Sequence, residues 1–350
     1  MVQPPGVPQL RDTPTRGAAA YAAAEGRTAV PVEPSRLSAL ARGISVLVPV
    51  YNGAATVGEL VQRLGVVLAE IGLPHEVILV NDGSQDASWA TIVAAAEREP
   101  WVRGINLARN YGQHNALLCA VRAARFDVCV TLDDDLQHPP EEIPQLLAKL
   151  AEGFDVVYGT PRQLTQNSAR NFLSEAVKRA MARAIGLETI RDINAFRVFR
   201  TRLRDAFADF RSPQLLLDAL LVWGTRRFAA VPVRHERRRV GRSNYTLRRL
   251  FNQTLFMLTG FSTAPLRMAS LVGFGFFCFG VLVLIYVLAR FLVEGSQPGF
   301  PFLASIIALF SGAQLFALGI LGEYLARIFD RSAERPTYLV HDQIPPTPAP

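Results

Sequence analysis

Between Ile44 and Val233 the chain alternates short aliphatic, often β-branched runs with longer stretches in which apolar positions recur every three or four residues. The runs Ile44–Val50, Glu76–Val80, Val102–Leu107 and the one that begins at Val128 predict strands. Stretches from about Thr56 to Glu70, Ala87 to Arg98 and Gln113 to Ala124 predict helices, the first with Val57, Leu60, Val61, Leu64 and Leu68 on one face. Helices are then predicted from about Glu141 to Glu152, Ala169 to Ile185 and Ser212 to Val222. Strands are predicted at Asp155–Gly159, and at Ala195–Phe199 and Phe228–Val233, the last two completing a sheet edge. This alternation predicts an α/β fold, a mostly parallel sheet with helices on both faces. Ligands gather at the carboxyl ends of such strands. Here those ends carry Pro49-Val50-Tyr51-Asn52, Asn81-Asp82-Gly83-Ser84, Arg109-Asn110-Tyr111-Gly112 and Asp133-Asp134-Asp135.

The pattern changes after Val233. Arg234 to Tyr245 packs five arginines into a stretch broken by glycine and serine, and Arg248 and Arg249 open an amphipathic pattern with Leu250, Leu255, Phe256 and Leu258 that suits a membrane interface. Met268 to Ala289 and Gly299 to Gly322 carry no charge, and each is long enough to cross the roughly 30 Å hydrocarbon layer as a helix. Arg290, Glu294 and Pro298 in the short connection make the two a hairpin. Arginines before Met268 and at Arg327, Arg331 and Arg335 place both outer ends in the cytoplasm by the positive-inside tendency. Small residues, including Gly273, Gly275, Gly280, Gly312 and Gly319, are expected to let the spans approach closely. The expected organisation is a disordered tail over 1–42, an α/β domain over 43–233, a basic juxtamembrane segment over 234–266, a hairpin over 267–327 and a cytoplasmic tail over 328–350, Pro-rich and disordered from Ile344.

Composition narrows the function. Half of the 350 residues are hydrophobic and only 19% are charged, yet the net charge is +7. The mean hydropathy is +0.19 and the pI about 9.7. A basic, apolar chain points to anionic membrane surfaces or phosphate-bearing ligands, with nucleic acid as the rival. Aromatic residues that would stack on bases are sparse among the arginines, so nucleic acid is not expected as a partner. A positive membrane flank and a phosphate-binding loop both remain open for the basic run, and they are compatible. Cys119, Cys129 and Cys278 lack metal-ligand spacing and lie in apolar runs, which suits reduced, buried thiols.

The run that ends in Asp133, Asp134 and Asp135 is the focus. Three carboxylates at one strand end repel each other unless a cation neutralises them, and Mg²⁺ or Mn²⁺ prefer such oxygen ligands. The plain alternative is an acidic turn at the start of the helix near Glu141. A dinucleotide fold would need G-x-G-x-x-G after its first strand, whereas this turn has only Gly53 and Gly58. Carboxylates and metal, rather than closely approaching backbone, are then expected to handle phosphate.

Taken in order, Val48-Pro49-Val50-Tyr51-Asn52, Asn81-Asp82-Gly83-Ser84, Asn110-Tyr111-Gly112-Gln113-His114, Leu132 to Pro140 and Gly241-Arg242-Ser243-Asn244-Tyr245 resemble a family 2 glycosyltransferase of the GT-A fold. With Thr263 to Arg267 before the hairpin and Gly322-Glu323-Tyr324 closing it, the chain is similar to polyprenyl-phosphate glycosyltransferases, closest to the bacterial undecaprenyl-phosphate 4-deoxy-4-formamido-L-arabinose transferase group. The resemblance covers about Ile44 to Leu339. It implies that Pro49, Tyr51 and Asp82 line the nucleobase and ribose pocket and that Asp133 and Asp135 hold the metal with Gln137 as a third contact. Asp134 is expected beside the donor and Arg162 facing its diphosphate or sugar. Arg170 with Ser174, then Arg238 and Ser243, match positions near the phosphates of donor and acceptor, and Arg170 and Arg238 are the expected catalytic cations. The chain departs from the family at Gly53, where Glu is common, at Asp134, where a small residue is common, and at Asn244, where lysine is common. Asp192 to Arg197 fits only loosely.

The implied reaction transfers a sugar from a nucleotide sugar, with UDP the expected nucleotide, to a polyprenyl phosphate at the cytoplasmic membrane face. A homo-oligomer is left open. A processive synthase would carry Q-x-x-R-W and more spans, and a non-catalytic nucleotide-sugar scaffold is the reading from another class.

Overall fold

The computed structural model describes residues 42–161, 194–212, 215–236, 264–294, 299–332 and 336–344. Expectations placed on 1–41, on Arg162, Arg170 and Ser174, and on Arg238, Ser243 and the amphipathic stretch after Arg248 lie outside the described residues.

The first half follows the hydrophobic pattern closely. Strand β1 (Ile44–Val50), helix α1 (Val57–Ile71), β2 (His75–Asn81), α2 (Ser88–Arg98), β3 (Val102–Leu107), α3 (Gln113–Ala123) and β4 (Val128–Thr131) come in order, then a 3₁₀ turn (Pro140–Glu142) running into α4 (Ile143–Ala151), and β5 (Val156–Pro161). Next are β6 (Arg197–Arg200), a 3₁₀ segment (Thr201–Phe207), α5 (Leu217–Gly224) and β7 (Phe228–Val233). Helix α5 starts at Leu217, later than the Ser212 expected, and the 3₁₀ segment has no counterpart in the reading of the sequence.

Among the described residues one eight-stranded sheet runs in the order β7-β5-β6-β4-β1-β2-β3, with a strand β8 (Val340–Ile344) on the far edge. Strands β4, β1, β2 and β3 are parallel, while β6 is antiparallel to both neighbours. Strand β6 is therefore interior rather than at the edge, because Arg197–Arg200 pairs with β4 on one side and β5 on the other. One apolar layer packs α1, α2 and α4 against the sheet, and a second packs α3 and α5 against its other face. Strand order reverses direction between β1 and β4, so the ligand crevice of such a sheet lies above those two strands.

Strand β8 lies in the C-terminal tail, where the sequence pattern predicted no strand, and ends at Ile344, where disorder was expected to begin. It pairs antiparallel with β3, Val340 opposite Leu107 and Ile344 opposite Gly104. Leu339 carbonyl accepts the Ala108 amide at 2.9 Å, Thr337 is buried, and the Tyr338 ring lies 5.8 Å from the Arg122 guanidinium. The chain that leaves the hairpin thus rejoins the sheet that precedes it.

Helices α6 (Ala264–Glu294) and α7 (Phe300–Ser332) are long and apolar enough to cross a membrane, over Leu266–Val287 and Leu309–Ala326. Their large apolar residues, Leu271, Phe277, Leu282, Leu315 and Phe316 among them, are mostly exposed. Of the small residues expected to bring the spans together, Gly280 faces Phe310, whose ring comes within 2.9 Å of where a Cβ would stand. Gly273, Gly275, Gly312 and Gly319 have open space beside them.

Candidate active site

The carboxyl ends of β1 and β4 stand side by side. Leu47 is in register with Thr131, and the Leu132 amide donates to the Leu47 carbonyl at 3.3 Å. β4 stops at Thr131, so Asp133, Asp134 and Asp135 lie in the turn beyond it, each half-buried. The backbone on both sides is unusual for L-residues: Asn52 has φ 55° and Leu136 φ 58°. Asn tolerates this conformation; for Leu136 it costs on the order of 1 kcal/mol. Burial of its side chain in the α1–α4 layer offsets that cost.

Each of the three acids meets a different neighbour. Asp133 Oδ1 accepts from Gln113 Nε2 at 2.6 Å, and Asp135 Oδ1 accepts the Gln137 amide at 3.1 Å. Asp134 turns toward the first loop, where its Oδ2 lies 1.9 Å from the position a Cβ on Gly53 would take. The two departures from the family pattern are thus one geometric feature, since the Asp134 carboxylate fills the volume of a side chain at position 53. Gly53→Glu is expected to lower transfer by about tenfold or more through that collision, and Gly53→Glu with Asp134→Ser to recover most of it. Initial rates of the two variants at matched protein level check this, and a double variant as impaired as the single one would refute it.

The resemblance implies Asp133 and Asp135 as the pair for a divalent ion, and both stand in this turn with Gln137 two residues on. Among the described residues no three His, Cys, Asp or Glu side chains form a complete cage. Two carboxylates in one turn fit Mg²⁺ or Mn²⁺ when phosphate oxygens complete the coordination, as hard ions prefer.

The remaining expected contacts fall as follows. Tyr51 is about half exposed at the end of β1, so it projects rather than packs. Pro49 is buried within the strand, in register with Val80. Asp82 is also buried, and its carboxylate accepts the amides of Tyr111 at 2.7 Å and Gly112 at 2.8 Å. Its pKa is raised by burial, against the pull of those two amides. It holds the 109–112 loop in place. Gly83 serves the same closure, because a Cβ there would meet the Arg109 and Asn110 backbone at 2.4 Å. Ser84 Oγ accepts the Asn52 amide at 3.0 Å, so it ties the second loop to the first instead of capping α2.

Beneath the acids lies a buried polar network that the sequence reading missed. Arg197 Nε donates to Thr131 Oγ1 at 3.0 Å, its Nη1 pairs with Asp218, and Tyr158 Oη donates to Asp218 Oδ1 at 2.9 Å. Burial pushes the Tyr158 hydroxyl up to about 12, which keeps it a donor. Burial, then the nearby Arg197 charge, pushes His114 down to about 3 and leaves it neutral. Asp218 was legible as an acid inside the apolar run Leu215–Trp223, but nothing local told which cation it meets.

The sheet order, with acids at the β1/β4 crevice, is that of the GT-A fold. The chain belongs to glycosyl transferase family 2, whose family model matches residues 45–210. It is 40% identical over 306 residues to the undecaprenyl-phosphate 4-deoxy-4-formamido-L-arabinose transferase of Shewanella sediminis, covering 85% of this chain and 92% of that one. It is 37% identical over 312 residues to the protein of the same name from Pseudomonas aeruginosa, covering 87% and 91%. Among solved structures, mannosyl-3-phosphoglycerate synthase from Rubrobacter xylanophilus aligns with a TM-score of 0.47 at 16% identity, over 67% of this chain and 77% of that one. Family membership makes the chain an enzyme, so the scaffold reading is not taken further.

Proposed function

We propose that the protein transfers a sugar from a nucleotide sugar, a UDP-sugar first among candidates, to the phosphate of undecaprenyl phosphate. The observation that carries this reading is the pair Asp133 and Asp135 at the crevice of a sheet linked at both ends to an apolar hairpin. The relatives' names supply the acceptor class. The exposed apolar surface of α6 and α7 is what a bilayer would cover. Since β8 returns to the sheet after α7, two crossings leave both outer ends on the catalytic side. With the arginine flanks, this supports a cytoplasmic active site.

In this reading a phosphate oxygen of the lipid forms a bond to sugar C1 as the bond from C1 to the nucleoside diphosphate breaks, with inversion. The acceptor is already anionic near neutral pH, so no strong base is needed. Mg²⁺ or Mn²⁺ held by Asp133, Asp135 and Gln137 would neutralise charge on the diphosphate. Tyr51 and Asp134 border the nucleoside side, and the 109–112 loop held by Asp82 closes it. Arg162 is assigned to the donor, and Arg170 and Arg238 with Ser243 to the phosphates, aligning attack opposite the leaving group. The test is mass spectrometry of lipid products from the full chain in nanodiscs, given undecaprenyl phosphate and a panel of nucleotide sugars. A sugar joined to the lipid monophosphate with inverted anomeric configuration is expected. Absence of lipid product with every donor and either metal, or a retained configuration, would overturn the reading.

A further inference from the structure

Gln113 opens α3 at the carboxyl end of the sheet, and its Nε2 donates to Asp133 Oδ1 at 2.6 Å. A carboxylate can only accept, so the amide must present its nitrogen there. The backbone that leads into Gln113 is held from several sides. The Asp82 carboxylate accepts the Tyr111 and Gly112 amides, and Gly112 turns the corner at φ 93°. The Gly112 carbonyl accepts the Asn115 amide at 2.9 Å and the Ala116 amide at 3.1 Å, while Asn115 Nδ2 donates to the Tyr111 carbonyl at 2.7 Å. Ala116, Leu117 and Ala120 are buried in the apolar layer against the sheet. Helix α3 thus starts from a fixed point, and the glutamine side chain reaches from the loop after β3 to the turn after β4, two strands that β1 and β2 separate.

The chemistry of this contact suits a metal site. An acid that becomes a metal ligand gives up side-chain rotation, and a hydrogen bond from a fixed helix start removes part of that freedom beforehand. A carboxylate has about four lone-pair sites, so a donor at Oδ1 does not prevent it from serving an ion. An amide also does this without charge, whereas a lysine or arginine at position 113 would repel a dication at close range. We propose that Gln113 is a positioning residue for the metal site, holding the Asp133 carboxylate in one orientation for the divalent ion. This rests on the assignment of Asp133 as a metal ligand made above. Gln113 acts through Asp133 and not on the ion itself.

The test titrates Mn²⁺ into the full chain in nanodiscs with UDP present, reading free Mn²⁺ by electron paramagnetic resonance, with UDP alone as the baseline. It compares the natural chain, Gln113→Met, Asp133→Asn and the double variant. Methionine keeps the length and helix propensity of glutamine but cannot donate. The Kd for Mn²⁺ should rise about tenfold in Gln113→Met, the lower end of the range for groups that support a metal ligand, because Gln113 is exposed. UDP binding without metal should stay within about twofold and Tm within about 2 °C, as for other surface substitutions. In the Asp133→Asn background, adding Gln113→Met should change the Mn²⁺ Kd by less than about twofold, since the ligand it orders is already gone. An unchanged Kd in Gln113→Met while Asp133→Asn weakens Mn²⁺ would overturn the positioning role and leave the metal assignment standing. An unchanged Kd in Asp133→Asn would overturn both. Equal weakening by Gln113→Met in the two backgrounds, or a fall in Tm together with loss of metal-free UDP binding, would make Gln113 a residue of the fold and refute the proposal.

Discussion

Asp135→Asn is expected to cut sugar transfer to undecaprenyl phosphate by roughly 100-fold or more, the scale of losing a preorganised electrostatic contact to the departing group. Asp133→Asn should fall in the same range, because the two acids flank the turn at the β1/β4 crevice. Asp134→Asn should lose far less, since that carboxylate is turned toward Gly53. The size of asparagine leaves the turn intact, and the Gln137 amide can still donate to a side-chain oxygen at position 135, as it does to Asp135. A radiolabelled donor with purified protein in nanodiscs measures the rates, and calorimetry with UDP across a Mn²⁺ series tells whether the loss tracks the metal. Equal losses at 133, 134 and 135, or undiminished transfer by Asp135→Asn, would contradict the assignment of the pair.

Asp218→Ala is expected to destabilise the catalytic domain by about 3–5 kcal/mol, the cost of leaving a buried cation without its partner. Arg197 is 1% exposed and Asp218 3%, so water cannot replace the lost carboxylate without opening the core. Against a total stability of about 5–15 kcal/mol this is a large share, and it corresponds to a fall in Tm of roughly 10 °C. Replacing both partners, Arg197→Met with Asp218→Leu, should restore much of the stability, because an apolar pair avoids the desolvation of both charges. Activity should not return in parallel. Arg197 also donates to Thr131, two residues before Asp133, so the double variant keeps the fold while loosening the floor of the acids. Thermal unfolding and initial rates, read on the same samples, separate the two effects. A Tm change below about 2 °C in Asp218→Ala would refute the account of the buried pair.

Strand β8 bears on how the membrane segment should be probed. Cutting the chain after Phe261 would remove the hairpin together with Val340–Ile344, exposing the β3 edge. Loss of function in such a truncation would therefore not report on membrane attachment.

The parallel strands, their helices and the two apolar spans were readable along the chain, because each depends on a periodicity of neighbouring residues. Val102–Leu107 and Phe228–Val233 were placed to the residue. The acids were also legible, since three carboxylates ending an apolar run need no distant partner to look unusual. What could not be read locally was direction and partnership. Whether Asp134 faces a metal or Gly53 depends on β4 lying beside β1, and that adjacency comes from sheet order, not from residues 128–135. Asp82 closing the Tyr111–Gly112 loop, Arg197 meeting Asp218, and Arg63 reaching Glu236 join residues from 21 to 173 positions apart; burial and charge pairing select such contacts only once the layers have packed. The return of Val340–Ile344 to β3 is of the same kind, an open strand edge taking up a polar tail whose own pattern carried too little apolar surface to announce a strand.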